Sequence, residues 1–146
     1  MAKLEISTVI NRPVAEVFEF LSNSENRPKW SSGSSEVKKI SKGPIGVGTT
    51  YRLARTFLGR RIEGESEVTE YEPNRRFATK HKSGRLPVEA LVTFEGVKGG
   101  TRVTETVVAE PGGLFKLAEP LLVSMFKRRF EADLANLKDV METHAL

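Results

Sequence analysis

The chain has 146 residues, no cysteine and a formal charge of +4. That length suffices for one domain with its own apolar core, while the missing thiols exclude disulfides, thiolate-bound zinc and cysteine nucleophiles. The cations fall in short pairs such as Arg60-Arg61 and Arg75-Arg76, mostly beside glutamates and without interleaved aromatics. They read as solvated surface with no nucleic-acid partner, leaving only a weak, salt-sensitive pull on anions.

The opening MAKLEISTVINRP carries charge too early, and too short an apolar run, for a secretory signal; no stretch reaches the roughly 20 apolar residues of a membrane span. The expectation is one domain over residues 1–146, soluble and cytoplasmic, without stable membrane insertion. Leu4, Ile6, Thr8 and Ile10 alternate with more polar neighbours, which predicts a half-buried strand. Pro13 then suits the first turn of a helix, and Val14, Val17, Phe18 and Leu21 follow at amphipathic spacing. SNSENRPKW carries one more helical turn to Trp30, and the Ser/Gly run over 31–35 is a loop.

From residue 36 to about 110 the pattern is strand and turn. EVKKI, TYRLARTF, RRIEGESEV, RFATKHK, PVEALVTFE and TRVTETVVAE are strands, separated by GPIGVG, LGR, EPNRR, KSGR and VKGG. With the first strand this makes about seven, joined by tight hairpins and therefore antiparallel. Beyond Gly113 the period changes. Leu114, Leu117, Leu121 and Met125, then Phe126, Phe130, Leu134, Leu137 and Met141, mark a long helix broken or kinked near Pro120. The class is α+β, and the economical packing wraps a curved sheet around the long C-terminal helix, with the short helices closing one end.

Several stretches carry a resemblance: INRPVAEVFEFLSN, RPKWSSGSSEVKKI, GVGTTYRL, VTEYEPNRRF, GGTRVTETV and the closing FEADLANLKDVME. In order and motif the chain resembles the START-like (Bet v 1-like) superfamily, the SRPBCC proteins, and among them the bacterial polyketide cyclase/dehydrase type. The resemblance covers essentially the whole chain. It implies a helix-grip fold whose cavity often holds an apolar or aromatic molecule, a lipid or a hormone. Its members include binding and transport proteins, aromatase/cyclases and partner-recruiting subunits. The quoted motifs are turns and packing positions, so the resemblance transfers no catalytic signature, and no cofactor is expected.

If each strand alternates cleanly, one face gathers Tyr51, Leu53, Arg55 and Phe57; Ile62, Gly64, Ser66 and Val68; Phe77, Thr79 and His81; Val88, Ala90, Val92 and Phe94; and Val103, Glu105 and Val107. Apolar area with sparse polar groups is what a small-molecule pocket needs, and roughly a few hundred cubic ångströms is the expected cavity size. The small Gly64 and Ser66 suit a strand that faces a space. The ligand-contacting residues expected from the sheet are Tyr51, Leu53, Arg55, Ile62, Ser66, Val68, Phe77, Thr79, His81, Val92, Phe94 and Glu105. Trp30 is expected as either a cover over the entrance or an anchor for the helical turn before it. Leu117, Leu121 and Met125 are expected as the helix's contribution.

Arg55 and Glu105 sit among apolar residues at inward positions, where a lone charge must shift its pKa or find a partner. Arg55 would anchor a carboxylate or phenolate, and Glu105 would accept a hydrogen bond or shuttle a proton; the plainer alternative is that they pair, or that a bulge turns one outward. His81 would serve as general acid or base at the mouth, although its place between Lys80 and Lys82 reads first as a wet strand end. These three are the catalytic candidates. With no cysteine and no second histidine nearby, no metal site is expected. The leading functional expectation is binding of a small hydrophobic or aromatic molecule, lipid- or polyketide-like. The alternatives are a cyclase/dehydrase-type enzyme using the same cavity and a stress-response or co-chaperone-like interaction protein. A homodimer is compatible with the sequence, which does not fix the oligomeric state.

Overall fold

The computed structural model describes residues 2–31, 34–57, 59–83, 86–109 and 119–143. Among these, β1 (Ala2–Ile10) leads into α1 (Val14–Ser22) and a 3₁₀ helix, Ser24–Lys29. Six strands follow: β2 (Ser34–Lys39), β3 (Thr50–Phe57), β4 (Arg60–Glu72), β5 (Arg76–Ser83), β6 (Leu86–Val97) and β7 (Gly100–Ala109). The chain ends in α2 (Glu119–Glu142). The seven described strands form one antiparallel sheet in the order β1-β7-β6-β5-β4-β3-β2, so the first strand closes against the last.

Register carries the alternation across the whole sheet. Tyr51 lies opposite Ser66, Ser66 opposite His81, and His81 opposite Val88. Ala90 faces Val107 and Val92 faces Glu105, whose other neighbour is Ile6 of β1. One continuous inner face results. On β4, Glu63, Glu65 and Glu67 are exposed on the outer face, while Ser66 and Val68 are buried on the inner one. β-bulges fall between Val68 and Glu70 and between Ser34 and Glu36, where the strands must bend.

Two layers cover the inner face. α1 buries Val17, Phe18 and Leu21, and Phe18 meets Tyr71 and Phe94 edge-on with ring centroids 5.3 and 5.1 Å apart. α2 buries Leu134, Leu137 and Met141, its stripe facing β1. The end of α2 is also tied by polar bonds. Arg12 donates from its side chain to the carbonyls of Met141 (3.0 Å) and Glu142 (3.1 Å), and Lys138 Nζ donates to the Val9 carbonyl at 2.7 Å. The expected stretch from Leu114 to Leu117, and any kink on the N-terminal side of Pro120, lie outside the described residues.

Candidate ligand-binding site

Along β6 and β7 the inner face divides into three zones. At one end Phe94 and Val103 pack into the α1 core. In the middle Ala90, Val92 and Glu105 border a partly enclosed cavity, completed by Leu53, Ser66, Phe77, Thr79 and His81 from the other strands. Val37 of β2 and Leu21, Ser24, Arg27 and Trp30 of the helical segment close it. At the far end Val88, Val107 and Ala109 lie under Val123, Phe126 and Phe130 of α2, with an apolar cleft between the layers.

The central cavity measures about 30 Å³, room for about one or two waters. Among the described residues this cavity falls well short of the few hundred cubic ångströms expected, with the bulky Phe77, Val92, Leu53 and Trp30 among its walls. What distinguishes the cavity is its polar content. Glu105 is 2% exposed on an otherwise apolar stretch, with Ile6 and Val92 as ladder neighbours. Burial pushes its carboxyl above the usual carboxylate range; the Arg27 guanidinium opposes that rise and Asp133 of α2 adds to it. Thr79 Oγ1 stands 3.1 Å from His81 Nε2, both on the inner face of β5. Trp30 Nε1 and Ser66 Oγ are buried and find no hydrogen-bond partner among the described residues.

Trp30 both lines the cavity and is held in place. The Arg27 guanidinium lies 5.0 Å from its ring centroid, its carbonyl accepts from Asn136 Nδ2 of α2 at 3.0 Å, and the adjacent Ser31 donates to Asp133 at 3.2 Å. Cover and anchor, posed as alternatives, are properties of the same residue.

The structure brings together Trp30, Leu53, Ser66, Phe77, Thr79, His81, Val92 and Glu105 at the cavity. His81 is 8% exposed, which corrects its reading as a wet strand end; it borders the cavity beside Thr79. Glu105 points inward, and among the described residues Arg27 is its cationic neighbour. The side chain of Arg55 lies outside the described part of the structure, and so does the whole of Leu117. Tyr51, Val68 and Phe94 are core residues that do not border the cavity, because α1 and neighbouring strands fill that part of the inner face. Burial raises the Tyr51 phenol, with Ser24 offsetting part of the rise; yet the phenol oxygen forms no well-shaped hydrogen bond among the described residues. Ile62 is only half-buried and stands away from the cavity.

Leu121 and Met125 are corrected outright. They are 73% and 43% exposed. At 3.6 residues per turn they fall on nearly the opposite side of α2 from the stripe through Val123, Phe126, Phe130, Leu134, Leu137 and Met141. The residues that the sequence reading passed over are Leu21, Ser24, Arg27 and Val37. Leu21 was visible as an apolar helix position, but nothing in the spacing of SENRPK marks Arg27 as an inward cation. Among the described residues no group of three His, Asp or Glu is arranged to hold a metal ion, and no helix is long and apolar enough to cross a membrane.

No curated protein matches the sequence. Solved structures do share its shape. TTHA0849 from Thermus thermophilus superposes with a TM-score of 0.79 at 18% identity, over 94% of each chain. The Zhui aromatase/cyclase from Streptomyces sp. R1128 gives 0.76 at 16% identity, over 99% of this chain and 95% of its own. DR_A0006 from Deinococcus radiodurans gives 0.73 at 17% identity, over 99% of both. At such identities these likenesses establish the fold alone. The family model for polyketide cyclase / dehydrase and lipid transport matches residues 1–142. The chain therefore belongs to that family, within the START-like (Bet v 1-like) superfamily, and has its helix-grip fold.

Proposed function

We propose that the protein binds a small apolar or aromatic molecule between the sheet and the helical layer that covers it, with the molecule's polar end at Glu105. The observation that carries this reading is a buried carboxyl beside two buried polar atoms, Trp30 Nε1 and Ser66 Oγ, that lack partners among the described residues, in a cavity whose other walls are mostly apolar. Unsatisfied buried donors are costly to a folded chain, and a ligand hydroxyl or carbonyl placed among them would relieve that cost. Family membership supports the same class of ligand. Native mass spectrometry of protein purified under mild conditions tests the reading. A bound organic molecule is expected, released by denaturation and weakened in Glu105→Gln. A spectrum of bare chain, together with no uptake of added alcohols or phenols, would count against it.

A second reading follows from the pairing of Thr79 with His81 across the cavity wall from Glu105. A buried carboxyl whose pKa burial raises and a buried imidazole form an acid and base set for enolisation or dehydration of a carbonyl compound. Turnover of a synthetic poly-β-carbonyl substrate is the measurement. Unchanged rates in both Glu105→Gln and His81→Gln would remove these residues from any such chemistry.

A further inference from the structure

α2 has a second long face, turned away from the sheet. Leu121, Met125, Arg128, Ala132, Ala135 and Asp139 recur along it at alternating spacings of four and three residues, and all are exposed. At about 100° per residue they form one stripe opposite the buried Leu134, Leu137 and Met141. A mean repeat of about 3.5 residues is the pattern by which two helices pack along their length. Leu121 and Met125 leave large apolar side chains in water at one end of the stripe. Ala132 and Ala135 at its middle allow another helix axis to approach to about 8 Å.

Charge selects the occupant. The stripe carries one cation, Arg128, and one anion, Asp139, and neither takes part in an ion pair among the described residues. Arg128 and Asp139 share their midpoint with Ala132 and Ala135. A two-fold axis through that point runs two copies of α2 antiparallel and sets Arg128 against the partner's Asp139, and Ala132 against the partner's Ala135, each contact occurring twice. A parallel pair would instead set like charges together. We infer that this face of α2 docks a second copy of the chain, as an antiparallel helix pair whose register is fixed by two contacts between Arg128 and Asp139. The cavity walls include no described residue of α2, so the inference stands apart from the proposed binding function. A contact one helix wide is smaller than the roughly 800 Å² per partner of a standard interface, and the expected dissociation constant is on the order of tens of micromolar.

Sedimentation equilibrium of the full chain, from about 1 µM to about 1 mM, tests it. The wild type is expected to pass from monomer to dimer across that range. Arg128→Asp and Asp139→Arg each place like charges together twice and should weaken self-association at least about tenfold, with the far-UV circular dichroism unchanged. An equal mixture of the two variants restores both opposite-charge contacts in a heterodimer, and the double variant restores them in a homodimer; both should associate about as tightly as the wild type. A wild type that stays monomeric throughout leaves the face to a different protein or to water and overturns the inference. A dimer that both single variants form undiminished overturns it too, and so does a loss that neither mixing nor the double variant repairs.

Discussion

The backbone N–H of Asn11 donates to Oε2 of Glu142 at 2.8 Å, so the turn that ends β1 is closed by the last residue of α2. Around that bond stand Lys138, 2.6 Å from the same carboxylate oxygen, and the half-buried Arg12, bonded to the last carbonyls of the helix. Orphan carbonyls at a helix end need such partners. Arg12→Ala should therefore lower unfolding stability by about 2 kcal/mol, measured by urea denaturation.

The Lys138 ammonium and then the Asn11 N–H hold the Glu142 carboxyl below its ordinary range. A folded value depressed in this way gives stability that is present above the unfolded carboxylate pKa and lost as pH falls through the folded value. Glu142→Gln should lower the Tm at pH 7, with the difference from the wild type shrinking toward pH 3. A thermal melt series across that range is the check.

Glu105 has the opposite sign. Its folded value is raised by burial, so the native state keeps a proton that the unfolded chain releases. Stability is fully present below the unfolded carboxylate pKa and declines as pH rises through the folded value. Glu105→Gln should match the wild type near pH 4 and be the more stable protein at pH 8. Arg27 and His81 border the same cavity and Asp133 acts on Glu105 electrostatically, so the melts should be repeated in His81→Gln to assign the difference to Glu105.

Ser66 is the small inward residue of β4 whose hydroxyl lacks a partner among the described residues. Ser66→Val removes that hydroxyl and adds a β-branched side chain suited to a strand. Stability should hold or rise by about 1 kcal/mol, while affinity for any ligand of the cavity falls about tenfold. Equilibrium unfolding and native mass spectrometry on the same preparation read both effects.

Gly100 begins β7 at φ 155°, and a Cβ there would collide with the backbone carbonyl of Ile10. Neither strand can yield, because Ile10 pairs with the next residue, Thr101. Gly100→Ala should cost at least about 3 kcal/mol, visible as a fall in the urea midpoint.

The inner face of the sheet was readable from alternation because a period of two is rigid: Ser66, His81 and Glu105 could turn outward only through a bulge, and the described bulges lie elsewhere. α2 was harder. The step from Met125 to Phe126 already contained a break in phase, but the apolar character of Leu121 and Met125 masked it. Arg27 escaped because the 3₁₀ helix imposes no amphipathic period long enough to read. Cavity size escaped for a different reason. Gly64 and Ser66 signal that space exists at one strand, whereas the volume left over depends on how Trp30, Phe77 and Leu53 from three other elements turn into it.

The glutamates on the outer face of β4 have a consequence for how the sheet is assembled. An inward row of Ile62, Gly64, Ser66 and Val68 gives little bulk with which to choose an alignment. A slip of one residue would turn Glu63, Glu65 and Glu67 together toward the apolar side, an error far costlier than any contact the small residues could gain. A strand with such small inward side chains is thus kept in register by what it refuses to bury.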